Sequence, residues 1–172
     1  MENSRGRLAT AKNILSIGAT QSGPSDISPA VPYWPKMGLE YLASFSSRGP
    51  TSDGRRKPDL CAPGYMIKSA GARMGTTGGD DTLLNAGTSM ATPIAAGSGA
   101  LVRDYYMQGF YPTGTKVPAN SFTPSGALVK ATMINGAQAM KGSQNEDSLN
   151  TLFTSTEFDH HQGFGRLQLT GG

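Results

Sequence analysis

The sequence predicts an α/β fold in which a largely parallel sheet lies between helices. Two patterns lead there. Residues 13–19, 41–45 and 66–70 are short apolar runs bounded by turn residues, as expected of strands in a covered sheet. Residues 91–107 and 125–135 instead bring apolar side chains back at spacings of three, four and seven, the period of a helix.

The connections follow from punctuation. Residues 21–38 hold Pro24, Pro29, Pro32 and Pro35, which read as an irregular surface excursion carrying Tyr33 and Trp34. Residues 73–81 form a glycine-rich loop. The helix over 91–107 has Ile94, Ala95, Leu101, Val102 and Tyr105 along it, with Gly109 as its stop. Its polar face is small, which predicts enclosure by other elements. Gly97 and Gly99 each cost about 1 kcal/mol against alanine in a helix interior, so they predict close backbone packing on both sides. A proline-bearing connection follows over 110–123. The helix over 125–135 turns Ala127, Leu128, Ala131 and Ile134 to one face and ends near Gly136. Residues 141–156 read as a polar loop. No repeat, low-complexity tract or internal boundary appears, so residues 1–172 are read as part of one domain.

Composition narrows the function classes. The 172 residues suffice for one core, and 37% hydrophobic with 16% charged residues is a globular balance. A formal charge of +3 argues against a nucleic-acid partner. The one basic cluster, Arg55-Arg56-Lys57, reads as a solvated loop. No apolar stretch is long enough to span a bilayer, and Met1-Glu2-Asn3-Ser4-Arg5 does not open as a secretory signal does. The single cysteine, Cys61, can form no internal disulfide and reads as a buried thiol.

The chemistry concentrates at Asn85-Ala86-Gly87-Thr88-Ser89-Met90-Ala91-Thr92-Pro93. A serine hydroxyl is a weak nucleophile unless a fold places it beside a base and near donors for an oxyanion. Gly87 permits a tight turn into a helix start, and Thr88 is a good N-cap type. Ser89 then stands in the first helical turn, where unpaired N–H groups and the positive dipole end favour negative charge. Pro93 cannot donate to the Ser89 carbonyl, which predicts an irregular first turn.

Gly87-Thr88-Ser89-Met90-Ala91-Thr92-Pro93 resembles the nucleophile motif of the subtilisin-like serine proteases, the subtilases (peptidase S8). Flanking blocks resemble the same family in its order. These are Ala11-Lys12-Asn13-Ile14-Leu15-Ser16-Ile17-Gly18-Ala19-Thr20, Phe45-Ser46-Ser47-Arg48-Gly49-Pro50 and Lys57-Pro58-Asp59-Leu60-Cys61-Ala62-Pro63-Gly64. Downstream, residues 124–138 are similar to a late helix and Gln162-Gly163-Phe164-Gly165-Arg166-Leu167 to a closing turn. Ile94 replaces a histidine common at that packing position. The resemblance implies a three-layer subtilisin-like fold with a mostly parallel sheet, of which residues 1–172 form the C-terminal part. It also implies a serine endopeptidase acting on protein or peptide through an acyl-enzyme on Ser89, whose own N–H is an oxyanion donor. No cofactor is required. The family's structural calcium and its usual export are implied by resemblance alone.

The triad's order in this family is Asp, His, Ser, so both partners should precede Ser89. The only histidines, His160 and His161, follow it. Asn3 is the nearest candidate for the oxyanion asparagine, but Glu2-Asn3-Ser4 lacks the family's small-residue context. The expectation is that the missing groups belong to an N-terminal part of the catalytic domain and that these residues alone are inactive. Two other readings fit the residues in part. Ser89 with the downstream Asp147 or Asp159 and His160 or His161 follows the order of an α/β-hydrolase esterase, against which stand Ala91, Pro93 and the missing oxyanion glycines. A non-catalytic subtilase relic would instead bind peptide or protein along exposed sheet edges. His160 and His161 otherwise read as loop histidines. Asp53, Asp80 and Asp81 lie on loops without Asp-x-Asp-x-Asp spacing, and so read as solvated acids rather than calcium ligands. Asp59 reads as a structural hydrogen-bond acceptor.

Overall fold

The computed structural model describes residues 7–23, 38–71, 82–144, 150–152 and 159–170. Asn3, Tyr33, Trp34, Asp80, Asp81 and Asp147, the glycine-rich loop over 73–81 and most of the proline-rich excursion lie outside them. The α/β class is as the sequence predicts. A five-stranded sheet runs in the order β3-β1-β2-β6-β7, with β1 at Ile17–Thr20, β2 at Tyr41–Leu42, β3 at Leu60–Pro63, β6 at Gly142–Gln144 and β7 at Asn150–Leu152. Its longest ladder, β1 on β3 from Ile17↔Leu60 to Thr20↔Pro63, is parallel, as is β2 on β6. The β1–β2 and β6–β7 pairs are antiparallel.

Several boundaries differ from the sequence reading, each for a local reason. The first strand begins at Ile17 and not at residue 13, because the Ser16 N–H donates to the Asp59 carboxylate (2.7 Å) and the Ile14 carbonyl accepts from Lys57 and Lys130 Nζ. The second ends at Leu42, where the Ser46 N–H turns back to the Ala43 carbonyl. β3 is not among the strands the sequence predicts, yet it is buried from Leu60 to Ala62 and central to the core. The strand expected at 66–70 forms as β4, Ile67–Ala70, but outside the covered sheet. It pairs antiparallel with β5, Thr82–Asn85, and both are largely exposed. Met66, at φ 55, stands in the left-handed region and turns the chain off the main sheet. Residues 141–156 are not all loop: β6 and β7 form a hairpin there.

Helix α1 runs from Thr88 to Met107 and α2 from Gly126 to Asn135. The stops are as read. Gly109, at φ 75, follows the Gln108 cap, and Gly136 caps α2. Ser125 caps α2 by accepting from the Leu128 N–H (3.2 Å). α1 packs on β1, β3 and α2, burying Ala91, Ala95, Val102 and Tyr106 against Ala19, Leu60, Ala62 and Met133.

Among the described residues α1 has its neighbours on one side: Thr92, Pro93, Ala96, Gly97 and Ala100 are exposed, and Leu101 is 64% exposed. The two glycines also part company. A Cβ on Gly99 would meet Met133 Sδ at 3.5 Å, but one on Gly97 would meet nothing within 4 Å. Gly97→Ala is therefore expected to stabilise the protein by up to about 1 kcal/mol, by helix propensity alone. A lowered denaturant midpoint would contradict this. On α2 the face differs as well: Met133 is buried with Leu128, Val129 and Ile134 beside it, whereas Ala127 and Ala131 face solvent.

Candidate active site

Ser89 is exposed in the first turn of α1. The cap is Gly87 rather than Thr88, at φ 153 and ψ 162, a conformation that L side chains rarely adopt. Thr88 is the first helical residue, and its carbonyl accepts from Thr92 Oγ1 (2.9 Å). The helix is continuous through Pro93, although its opening bond is the tight one from the Met90 N–H to the Gly87 carbonyl (3.0 Å). Among the described residues, the Thr88 and Ser89 N–H groups and the Ser89 hydroxyl have no hydrogen-bond partner. An exposed hydroxyl beside unpaired donors at a helix mouth can present an oxygen to an acyl group and hold the resulting anion.

The mouth of α1 is fixed to the sheet. The Gly87 N–H donates to the Gly64 carbonyl (2.7 Å), and Gly64, directly after β3, donates to the Thr20 carbonyl of β1 (3.1 Å). Ser89 thus stands at the C-terminal ends of two parallel strands, where open α/β sheets place their ligands.

The two histidines are elsewhere. The His160 carbonyl accepts from the Gly49 N–H, and the Phe164 N–H donates to the Asp59 carbonyl, just before β3 begins. At about 3.3 Å per residue, the length of β3 puts roughly 13 Å between that end and the Ser89 end. His161 Nδ1 pairs with Asp159 Oδ2 (3.2 Å), whose Oδ1 accepts from the His161 and Gln162 N–H groups.

A buried ion cluster lies at the same, N-terminal end of β3. Asp59, 6% exposed, accepts from Lys57 Nζ (2.6 Å), Lys130 Nζ (2.8 Å) and the Ser16 N–H (2.7 Å). Its structural role is as read from the sequence. The reading of Arg55-Arg56-Lys57 as a solvated loop fails at Lys57, which is 3% exposed. A cation directly beside a buried carboxylate is paired rather than solvated. Burial pushes the Asp59 pKa up, but the hydrogen bonds from Lys130, Lys57 and Ser16 outweigh it and hold the carboxyl below its usual value. Cys61 is a buried thiol outside any disulfide, as expected, with Sγ 3.5 Å from the Gln162 carbonyl.

Asp53 turns its carboxylate to Thr51 and Arg55 (2.8 Å to Nε), and no three His, Cys, Asp or Glu side chains gather among the described residues. No helix among the described residues is long and apolar enough to cross a membrane.

Comparison with known proteins gives this geometry a family. The serine protease/ABC transporter B family protein tagD of Dictyostelium discoideum is 43% identical over 145 residues, covering 75% of this chain and 8% of that protein. The serine protease AprX of Bacillus subtilis is 45% identical over 71 residues, 37% of this chain and 16% of AprX. Pyrolysin of Pyrococcus furiosus is 36% identical over 110 residues, 64% of this chain and 7% of pyrolysin. The chain thus spans a small share of the length of these relatives. A sequence profile of the subtilase family, peptidase S8, matches residues 2–165, nearly the whole chain, and the chain belongs to that family.

Proposed function

We propose that these residues form the C-terminal, nucleophile-bearing portion of a serine endopeptidase catalytic domain, with Ser89 as nucleophile. The observation that carries this reading is the exposure of Ser89 at the α1 mouth, beside N–H groups without partners among the described residues. In the proposed reaction a histidine outside residues 1–172, oriented by an aspartate, takes the Ser89 proton as Oγ attacks the peptide carbonyl. The Ser89 N–H holds the oxyanion, the amine leaves with the proton, and water then releases the acyl group from Oγ. The substrate is protein or peptide, and the chemistry needs no cofactor. Export is proposed on family grounds.

The position of His161 supports this over an esterase triad. It is paired to Asp159 at the N-terminal end of β3, while Ser89 stands at the other. The 172-residue chain alone is therefore expected to resist an activated-serine probe such as a fluorophosphonate. Stoichiometric labelling at Ser89 would show a base already in reach and overturn the assignment.

A further inference from the structure

We propose that Gly64 is a positioning residue for catalysis: its missing side chain sets where Ser89 stands. The inference rests on Ser89 being the nucleophile. A Cβ built on Gly64 would lie 2.7 Å from Ala19 Cβ, 2.8 Å from the Gly87 carbonyl oxygen and 3.3 Å from Ala91 Cβ. The first two distances are closer than such atoms come in real structures. None of the three neighbours is the flexible end of a long side chain. Ala19 belongs to β1, Ala91 to the first turn of α1, and Gly87 is the helix cap two residues before the nucleophile.

The joint has little freedom to yield elsewhere. The Gly64 N–H donates to the Thr20 carbonyl, and its carbonyl accepts from the Gly87 N–H. The next carbonyl, that of Tyr65, accepts from the buried Ser22 hydroxyl. Phe45 stacks on the Tyr65 ring. Gly64 is thus held to the sheet on one side and to the helix cap on the other, with van der Waals distance to spare on neither. An added methyl group pushes the cap outward, because the sheet side is the better anchored. The Gly87 carbonyl also receives the Met90 N–H, so a displaced cap carries the first turn, and with it Ser89. Close packing transmits such a shift rather than absorbing it. A reacting atom misplaced by about 1 Å can cost on the order of 10²-fold in rate.

The test uses the intact protease. Gly64→Ala is expected to lower kcat, per serine titrated with an active-site label, by about 10²-fold, with KM within about twofold of wild type. Gly64→Ala combined with Ala19→Gly removes the collision on the sheet side, lets the new methyl group retreat from Gly87, and recovers part of the lost kcat. If the single variant fails to fold, the double variant is read alone, and a kcat between the single-variant expectation and wild type is then the supporting result. An unchanged kcat per titrated site in Gly64→Ala, or in the double variant where that alone folds, overturns the proposal, as does a single-variant loss that Ala19→Gly does not relieve. A purely structural glycine would lower the melting temperature and leave kcat per titrated site alone. Loss of the nucleophile reading shows differently: wild-type activity would then survive Ser89→Ala.

Discussion

If the full-length protein is the proposed serine endopeptidase, replacing Ser89 with alanine in it is expected to lower kcat by about 10⁶-fold, the magnitude found for subtilisin's own serine. One turn on, the Thr92 hydroxyl is committed as a donor to the Thr88 carbonyl. What survives is the rate enhancement from binding and oxyanion stabilisation alone, about 10³- to 10⁴-fold over water. The fold should not notice the change. The Ser89 side chain is exposed and has no partner among the described residues, so the stability difference is within about 0.5 kcal/mol. Active-site kinetics beside a melting curve check both halves, and a residual kcat above about 1% of wild type would contradict the nucleophile assignment.

Asp59→Ala is expected to have the largest effect on stability, a loss of about 3–5 kcal/mol, because it leaves Lys57 buried without its counter-charge. Three connections go at once. The Ser16 N–H loses its acceptor ahead of β1, Lys57 its partner before β3, and Lys130 of α2 its tie to the sheet. For a chain of this length the loss corresponds to a fall of about 10 °C in Tm. A double change of Asp59 and Lys57 to apolar residues should cost less than Asp59→Ala alone, since no unpaired buried charge remains.

The same cluster sets an acid limit. Folding depresses the Asp59 pKa, so between the folded value and the ordinary 3.8 the unfolded chain binds more protons there than the folded one. The contribution is fully present above pH 3.8 and is lost as the pH falls through the folded value. Asp59→Asn should flatten stability in that acid window and leave its slope near neutrality unchanged. Denaturant titrations from pH 2 to 7 read this directly, and an unaltered acid slope would count against it.

What the sequence disclosed was set by which residues act locally. The stop at Gly109 and the Gly136 end of α2 depend on a few neighbouring residues, and both were legible. So was the burial of Cys61, an apolar position within an apolar run. β3 was not, because Pro58 and Pro63 punctuate a loop in sequence, whereas in space Leu60–Pro63 lies between β1 and the 165–167 segment, which contribute its partners. Lys57 misled in the same way: its neighbours Arg55 and Arg56 suggest solvent, and only the distant Lys130 and Ile14 reveal a buried cluster. At the candidate site, the helix that carries Ser89 was legible from one motif. The closeness of Gly64 to Gly87 and Ala19 is a tertiary fact that no spacing encodes.

The most direct measurement is the site of covalent modification. The intact protease, inactivated by a fluorophosphonate and digested, should yield a single adduct, one per molecule, on the peptide spanning Gly87 to Pro93, at Ser89. An adduct on any other serine, or full inactivation with Ser89 unmodified, would contradict the account.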